Sequence, residues 1–297
     1  MTAERQAIEY AIDHTTEYDY VHAVPVSHHV ARLTPRSLQG QACLAHTLEV
    51  NPPAAVLKTH VDYYGNTLTF FATQSAHTRL TVRARSRVRL EPRTDAFDDT
   101  PAWELATDRT RMPLDAIDCV LDPLAGRVSG EVAAYARESF PAGRDLIDAV
   151  ADLIARIHRD FTYDRDATTV ATTLAEVFRA GRGVCQDFAR VGIACLRSLG
   201  IPARYVSGYL ETLPPPGTQR LVGADASHAW VSFHCPEIGW IDADPTNNLL
   251  PCRAHITLAW GHDFTDVSPI RGVIFGGGDH APKVSVDVRR DPVVDPG

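Results

Sequence analysis

The chain has 297 residues, 44% of them hydrophobic, and a formal net charge of −8. That suffices for one large or two modest buried cores, and the acidic balance argues against a general nucleic-acid binder. No apolar run approaches the roughly 18 residues of a membrane span, and the start, MTAERQAIEYAID, has neither the basic residues nor the apolar stretch of a secretory leader; a soluble, cytoplasmic protein is expected.

The first ninety residues read as β-rich. In TRLTVRARSRVRL, residues 78–90, Leu80, Val82, Ala84, Val88 and Leu90 share one face and Arg83, Arg85, Arg87 and Arg89 the other. Such an arginine row could bind an acidic partner, but it is better read as the wet face of a half-buried antiparallel strand. DYYGN at 62–66 is a turn before the strand TLTFF. From Glu91 to Val128 periodicity is lost, so the boundary falls here: a β-rich domain over 1–105 and a second domain over 106–297. Helices follow. Leu146, Val150, Leu153, Ile157 and Phe161 recur at helical spacing. Thr173 and Glu176 fit a capping box, and Gly181 can end that short helix. In GRGVCQDFARVGIACLRSLGIPARYVSGYL, residues 181–210, Phe188, Val191, Cys195, Leu196 and Leu199 form the apolar stripe of a helix stopped by Gly200 and Pro202. The period then changes to strands in ARYVSGYL, HAWVSF, GWIDAD, HITLAW and KVSVDV. Residues 211–226, ETLPPPGTQRLVGADA, are expected to be a mobile loop bordering the cleft.

Six cysteines, at 43, 119, 185, 195, 235 and 252, include no C-x-x-C pair and no zinc spacing. In a reducing compartment most are buried thiols, and Cys195 on the apolar stripe is one. Cys185 is different. It opens a helix after a Gly-Arg-Gly turn, where unpaired N–H groups and the helix dipole favour thiolate. A free N–H there could also hold an oxyanion. Alternatively, Cys185 simply fills a gap at the helix start. A nucleophile needs a base, and the base an orienter. HAWVSF and GWIDAD read as a hairpin, and a turn centred on Pro236 sets His228 opposite Asp244, with Cβ atoms about 4.5–5.5 Å apart. Asp242, on the same face, is the rival orienter, and Asp225 a weaker one. Against this stand the ordinary readings of a lone histidine as surface or core and of an Asp before Pro-Thr as a turn former. His234 and Cys235 point to opposite faces and make no metal pair. His28 and His29 are expected at the surface. No cofactor or metal is expected.

The combination GRGVCQDFARVGIACLRSLGIPARYVSGYL, DASHAWVSF and GWIDADPTNN resembles the transglutaminase-like superfamily, in its bacterial type with an N-terminal β domain. YAIDHTTEYDYVHAVPV, RLTPR and DYYGN resemble that accompanying domain, and HITLAWGHDFTDVSPIRGVIFGGGDH the family's C-terminal segment. His262 and Phe264 stand where an arginine and a tyrosine are commoner. The resemblance implies an α+β, papain-like core and acyl transfer from a peptide or protein amide through a cysteinyl thioester, with Cys185, His228 and Asp244 on the triad positions. It also suggests Tyr163 as an oxyanion donor, although Tyr163 could equally be a packing aromatic. A cysteine protease or amidase is expected ahead of an amine-accepting transglutaminase. A non-catalytic binding module and a thiol redox sensor, which would need a resolving cysteine such as Cys235 or Cys252 near Cys185, are the readings from other classes.

Overall fold

The computed structural model describes residues 7–91, 100–120, 130–169, 172–211, 227–250 and 254–291. The N-terminal strands are β1 (Ile8–Val24), β2 (Val26–Ala31), β3 (Gln41–Asn51), β4 (Val56–Val61), β5 (Thr67–Thr73) and β6 (His77–Leu90). The alternation read from β6 is its burial pattern: Leu80, Val82, Ala84, Ser86, Val88 and Leu90 are buried. Its arginines lie on the outer face, paired within the sheet. Arg83 binds Asp13, Arg87 and Arg89 reach Glu9 at 2.8 and 2.6 Å, and Arg79 reaches Asp19 at 2.7 Å. The row therefore serves the sheet rather than an outside anion.

The second part contains the helices α1 (Leu114–Asp118), α2 (Gly130–Arg137), α3 (Leu146–Asp160), α4 (Leu174–Ala180) and α5 (Cys185–Ser198). Its strands are β7 (Thr162–Tyr163), β8 (Arg182–Gly183), β9 (Ala203–Leu210), β10 (Ser227–Cys235), β11 (Gly239–Ala243) and β12 (His255–Gly261). The predicted capping box of α4 is present, and Gly181 ends the helix at φ 62°. The antiparallel sheet runs β11-β10-β9-β12. Helix α5 packs on β9 and β10 and against α2, α3 and α4. It is buried on more than the predicted stripe: Ala189, Gly192, Ile193, Ala194 and Arg197 are covered as well. Arg197 is accommodated because its Nε donates to Ala203 O at 2.8 Å and its Nη2 to His262 O at 2.9 Å.

Two features differ from the sequence reading. First, after α6 (Phe264–Val267), the last strands β13 (Ile270–Phe275) and β14 (Pro282–Asp291) return to the N-terminal sheets, which run β14-β1-β6-β3 and β13-β2-β5-β4. Assigning all of 106–297 to one unit overlooks this pairing, because a strand's partner is not encoded locally. Val286 and Val288 of β14 are fully buried in the N-terminal core. Second, His29 is buried and stacked on Phe71, with ring centroids 4.9 Å apart, while His28 stays exposed. The twofold alternation of β2 requires that one of two adjacent residues point inward.

Candidate active site

The approach to α5 is shaped by a buried carboxylate. Asp187, in the first turn, folds back so that Oδ2 accepts the Val184 N–H at 3.0 Å and the Thr168 hydroxyl at 2.6 Å. This satisfies one donor at the helix start and favours the helix dipole. It also explains the second glycine of GRG, since a Cβ at Gly183 would lie 2.6 Å from Asp187 Oδ2 and 2.8 Å from its Cβ. Cys185 follows as the first helical residue, 9% exposed. β7 runs parallel beside β8, with Tyr163 paired to Gly183, which brings the half-exposed Tyr163 ring close to the helix start. Its ring meets Phe188 edge-on at 6.3 Å. Burial and then the neighbouring Cys185 thiol push its phenol up.

His228 begins β10. Its Nε2 lies 2.7 Å from Asp244 Oδ2, and Cys185 lies within electrostatic reach of its ring. With Nε2 engaged, Nδ1 is the nitrogen left for the sulfur. Burial opposes the imidazolium, but the hydrogen bond with Asp244 and then the pull of Cys185 outweigh it and push His228 up to about 10. Asp244 is fully buried. Its Oδ1 accepts the backbone N–H of Thr246 at 2.9 Å and of Asn247 at 3.2 Å. Its Oδ2 accepts Asn247 Nδ2 at 2.7 Å as well as His228. Burial works against ionisation here too, but the bonds from His228 and His255 hold this carboxyl far below the usual carboxylate range.

His228 and Asp244 meet by a different route from the one expected. The hairpin pairs Val231 with Ala243, Ser232 with Asp242 and Cys235 with Gly239. The turn is thus centred on Glu237, not Pro236, with Glu237 at φ 72°. Three loop residues follow Cys235, so every partner is displaced by two residues and Asp244 is not opposite His228. Asp244 instead lies just past the end of β11, in a small loop closed by mutual backbone bonds with Leu249 at 2.9 and 3.1 Å, and reaches His228 from there. Asp242, partly exposed, faces Ser232 across the pair and lies within electrostatic reach of the buried Arg204.

His255 was not singled out from the sequence. It opens β12, is buried, and places Nε2 2.8 Å from Asp244 Oδ2. Its only sequence signal is its position at the start of the strand HITLAW. His228, Asp244 and His255 each offer a ligand atom, all within 4.8 Å of one another, a set a divalent ion could use. Those same atoms are joined by hydrogen bonds that give each a partner.

The remaining candidates lie apart from this cluster. Cys235 is buried at the other end of β10, seven residues or about 23 Å from His228, and burial pushes its thiol up to about 11. Cys195 is fully buried and pushed by burial up to about 12. His234 meets Trp240 edge-on at 5.5 Å. The His262 N–H donates to Asp266 at 2.9 Å, and Phe264 packs on Tyr205. Asp225, Cys252 and the loop at 212–226 lie outside the described residues.

Comparison with known proteins covers both halves of the chain. Residues 10–89 match the profile of the bacterial transglutaminase-like N-terminal region, and residues 133–245 that of the transglutaminase-like superfamily. An uncharacterized protein of Mycobacterium tuberculosis is 40% identical over 288 residues, covering 94% of this chain and 92% of that protein. A protein-glutamine gamma-glutamyltransferase of Pseudomonas aeruginosa is 38% identical over 108 residues, 35% of this chain and 16% of that protein. A crystal structure described as a candidate cysteine protease from Cytophaga hutchinsonii superposes with a TM-score of 0.75 at 18% identity, covering 98% of this chain and 93% of that one.

Proposed function

The chain belongs to the bacterial transglutaminase-like proteins, and from that premise we propose that it is a thiol acyl-transfer enzyme acting on peptide or protein amides. The observation that carries the reading is one imidazole, that of His228, held at Nε2 by a fully buried carboxylate and within electrostatic reach of a cysteine at a helix start. His228 takes the Cys185 proton, and the thiolate attacks the amide carbon to form a tetrahedral oxyanion. The Cys185 backbone N–H and the Tyr163 hydroxyl are the donors proposed to meet that oxyanion. Collapse breaks the C–N bond, His228 returns the proton to the leaving amine, and a thioester remains. Asp244 fixes the imidazole tautomer and stabilises the imidazolium. Hydrolysis of the thioester, giving a cysteine protease or amidase, is the preferred outcome. Aminolysis, giving a transglutaminase, is the second reading, favoured by the similarity of 108 residues to the Pseudomonas gamma-glutamyltransferase.

The test is to incubate the protein with peptide and isopeptide libraries, with and without an added primary amine, and to trap the thioester by mass spectrometry. Acylation at Cys185 is expected, lost in Cys185→Ala and reduced in Tyr163→Phe. Release of free acid with amine present supports hydrolysis, and amine incorporation supports transfer. No acylation, together with iodoacetamide reactivity of Cys185 no greater than that of Cys195, would reduce the site to a non-catalytic remnant.

A further inference from the structure

We propose that His255 is a positioning residue that shares the charge of Asp244 and so moderates the pull His228 feels. The inference rests on the reading of Cys185, His228 and Asp244 as nucleophile, base and orienter. A carboxylate oxygen can only accept, so the 2.8 Å contact between His255 Nε2 and Asp244 Oδ2 places a proton on Nε2. The other nitrogen, Nδ1, is buried and meets no partner among the described residues. A proton there would be an unpaired buried donor, which is costly. His255 is therefore the neutral, Nε2-protonated tautomer, a donor with a fixed direction. It cannot easily turn away, because its ring lies edge-on to Trp230 at 4.8 Å and tilted against His228 at 5.6 Å.

The two oxygens of Asp244 have different tasks. Oδ1 is held by two backbone N–H groups, which fix the direction of the carboxylate. Oδ2 divides its charge among His228, Asn247 and His255. Removing the His255 donor leaves the aim intact but concentrates charge on Oδ2. The His228 imidazolium is then held more tightly and gives its proton to the leaving amine less readily. His255 thus sets how acidic the imidazolium is, without touching substrate.

The experiment compares the pH dependence of Cys185 alkylation by iodoacetamide in the full chain, in His255→Phe and in His255→Gln. Phe keeps a ring and removes the donor; Gln restores an N–H near the same place. In His255→Phe the alkaline inflection is expected to rise by about one pH unit, equivalent to roughly a tenfold change in the proton equilibrium. Turnover falls through kcat rather than KM, and His255→Gln moves both back toward the parent. A profile unmoved in a folded His255→Phe variant overturns the proposal. Should that variant fail to fold, ¹⁵N-histidine spectra of the unmodified chain decide: a neutral ring protonated at Nε2 supports the proposal, and protonation at Nδ1 overturns it. Failure of the acyl-transfer reading shows separately, as unreactive Cys185 in a protein whose His255 tautomer is as stated.

Discussion

Asp244→Asn is the substitution on which the site's geometry makes the strongest statement. An amide keeps one acceptor and gains a donor. With its oxygen in the Oδ1 place it still accepts from Thr246 and Asn247, at 2.9 and 3.2 Å in the parent. Its NH₂ then faces three groups that donate to the carboxylate, at 2.7 Å from His228, 2.8 Å from His255 and 2.7 Å from Asn247. Turned over, it sets NH₂ against two backbone N–H groups instead. Either way at least two donors are left unmatched in a fully buried place, about 1–3 kcal/mol each, or roughly 2–6 kcal/mol in all. His228 can relieve one conflict by moving its proton to Nδ1, the nitrogen that must accept from Cys185. Turnover should therefore fall by up to about 10⁴, the size of the effect when a triad orienter becomes an amide. Asp242→Asn, at a partly exposed position opposite Ser232, should cost less than about 1 kcal/mol and little activity. Turnover by mass spectrometry and melting by calorimetry measure both. A folded Asp244→Asn protein with parental turnover, beside an inactive Asp242→Asn, would refute the assignment.

The same groups set a pH dependence. His228, raised from 6.5 to about 10, contributes stability that is complete below pH 6.5 and lost as pH rises toward 10. Asp244, lowered from 3.8, contributes stability present above that value and lost as pH falls. Urea denaturation across pH should show both limbs, and Asp244→Asn should flatten them; unaltered limbs would contradict the coupling. Gly183→Ala drives a methyl into Asp187, displacing it from Val184 and Thr168. A loss of about 1–3 kcal/mol is expected, with slower alkylation of Cys185, whereas parental values for both would count against the role given to Asp187. Gln41→Ala removes the two bonds that grip Thr257, at 2.8 and 2.9 Å. It should lower the melting temperature through about 1–3 kcal/mol and reduce turnover; unchanged melting would mean that the grip contributes little.

Local chemistry was legible wherever it was local. The helix opening at Cys185, its stop at Gly200 and Pro202, the Thr173–Glu176 box and the alternation of β6 all depend on residues a few positions apart. The pairing of His228 with Asp244 was legible as a pair of residues but not as a register. Pro236 looks like a turn centre, yet Glu237 occupies the left-handed position, and a turn moved by one residue displaces every partner by two. His255 was invisible for a different reason: its partner is 11 residues away across a loop, and nothing in HITLAW says where its first side chain points. The return of β13 and β14 to the N-terminal sheets is likewise a long-range pairing, between residues such as Ile12 and Val288.

The same distinction gives the N-terminal motifs a physical meaning. β12 is an edge strand of its sheet, and an edge exposes unpaired peptide groups. Here side chains of the N-terminal half take the place of a neighbouring strand. The Gln41 amide accepts from Thr257 N and donates to Thr257 O, as a peptide would. Asn66, set by the DYYGN turn through bonds to Asp62, does the same for Trp260, accepting from its N at 3.0 Å and donating to its O at 2.7 Å. Arg36 of RLTPR lies 3.5 Å over the Trp260 ring, and Arg204 packs on Trp260 at 3.9 Å and on Trp240 at 4.1 Å, so a cation–π ladder runs from one half into the other. The strand clamped in this way begins with His255. The N-terminal sheets therefore help to fix the position of a histidine that bonds Asp244, which links them through the strand's backbone to the imidazole beside Cys185.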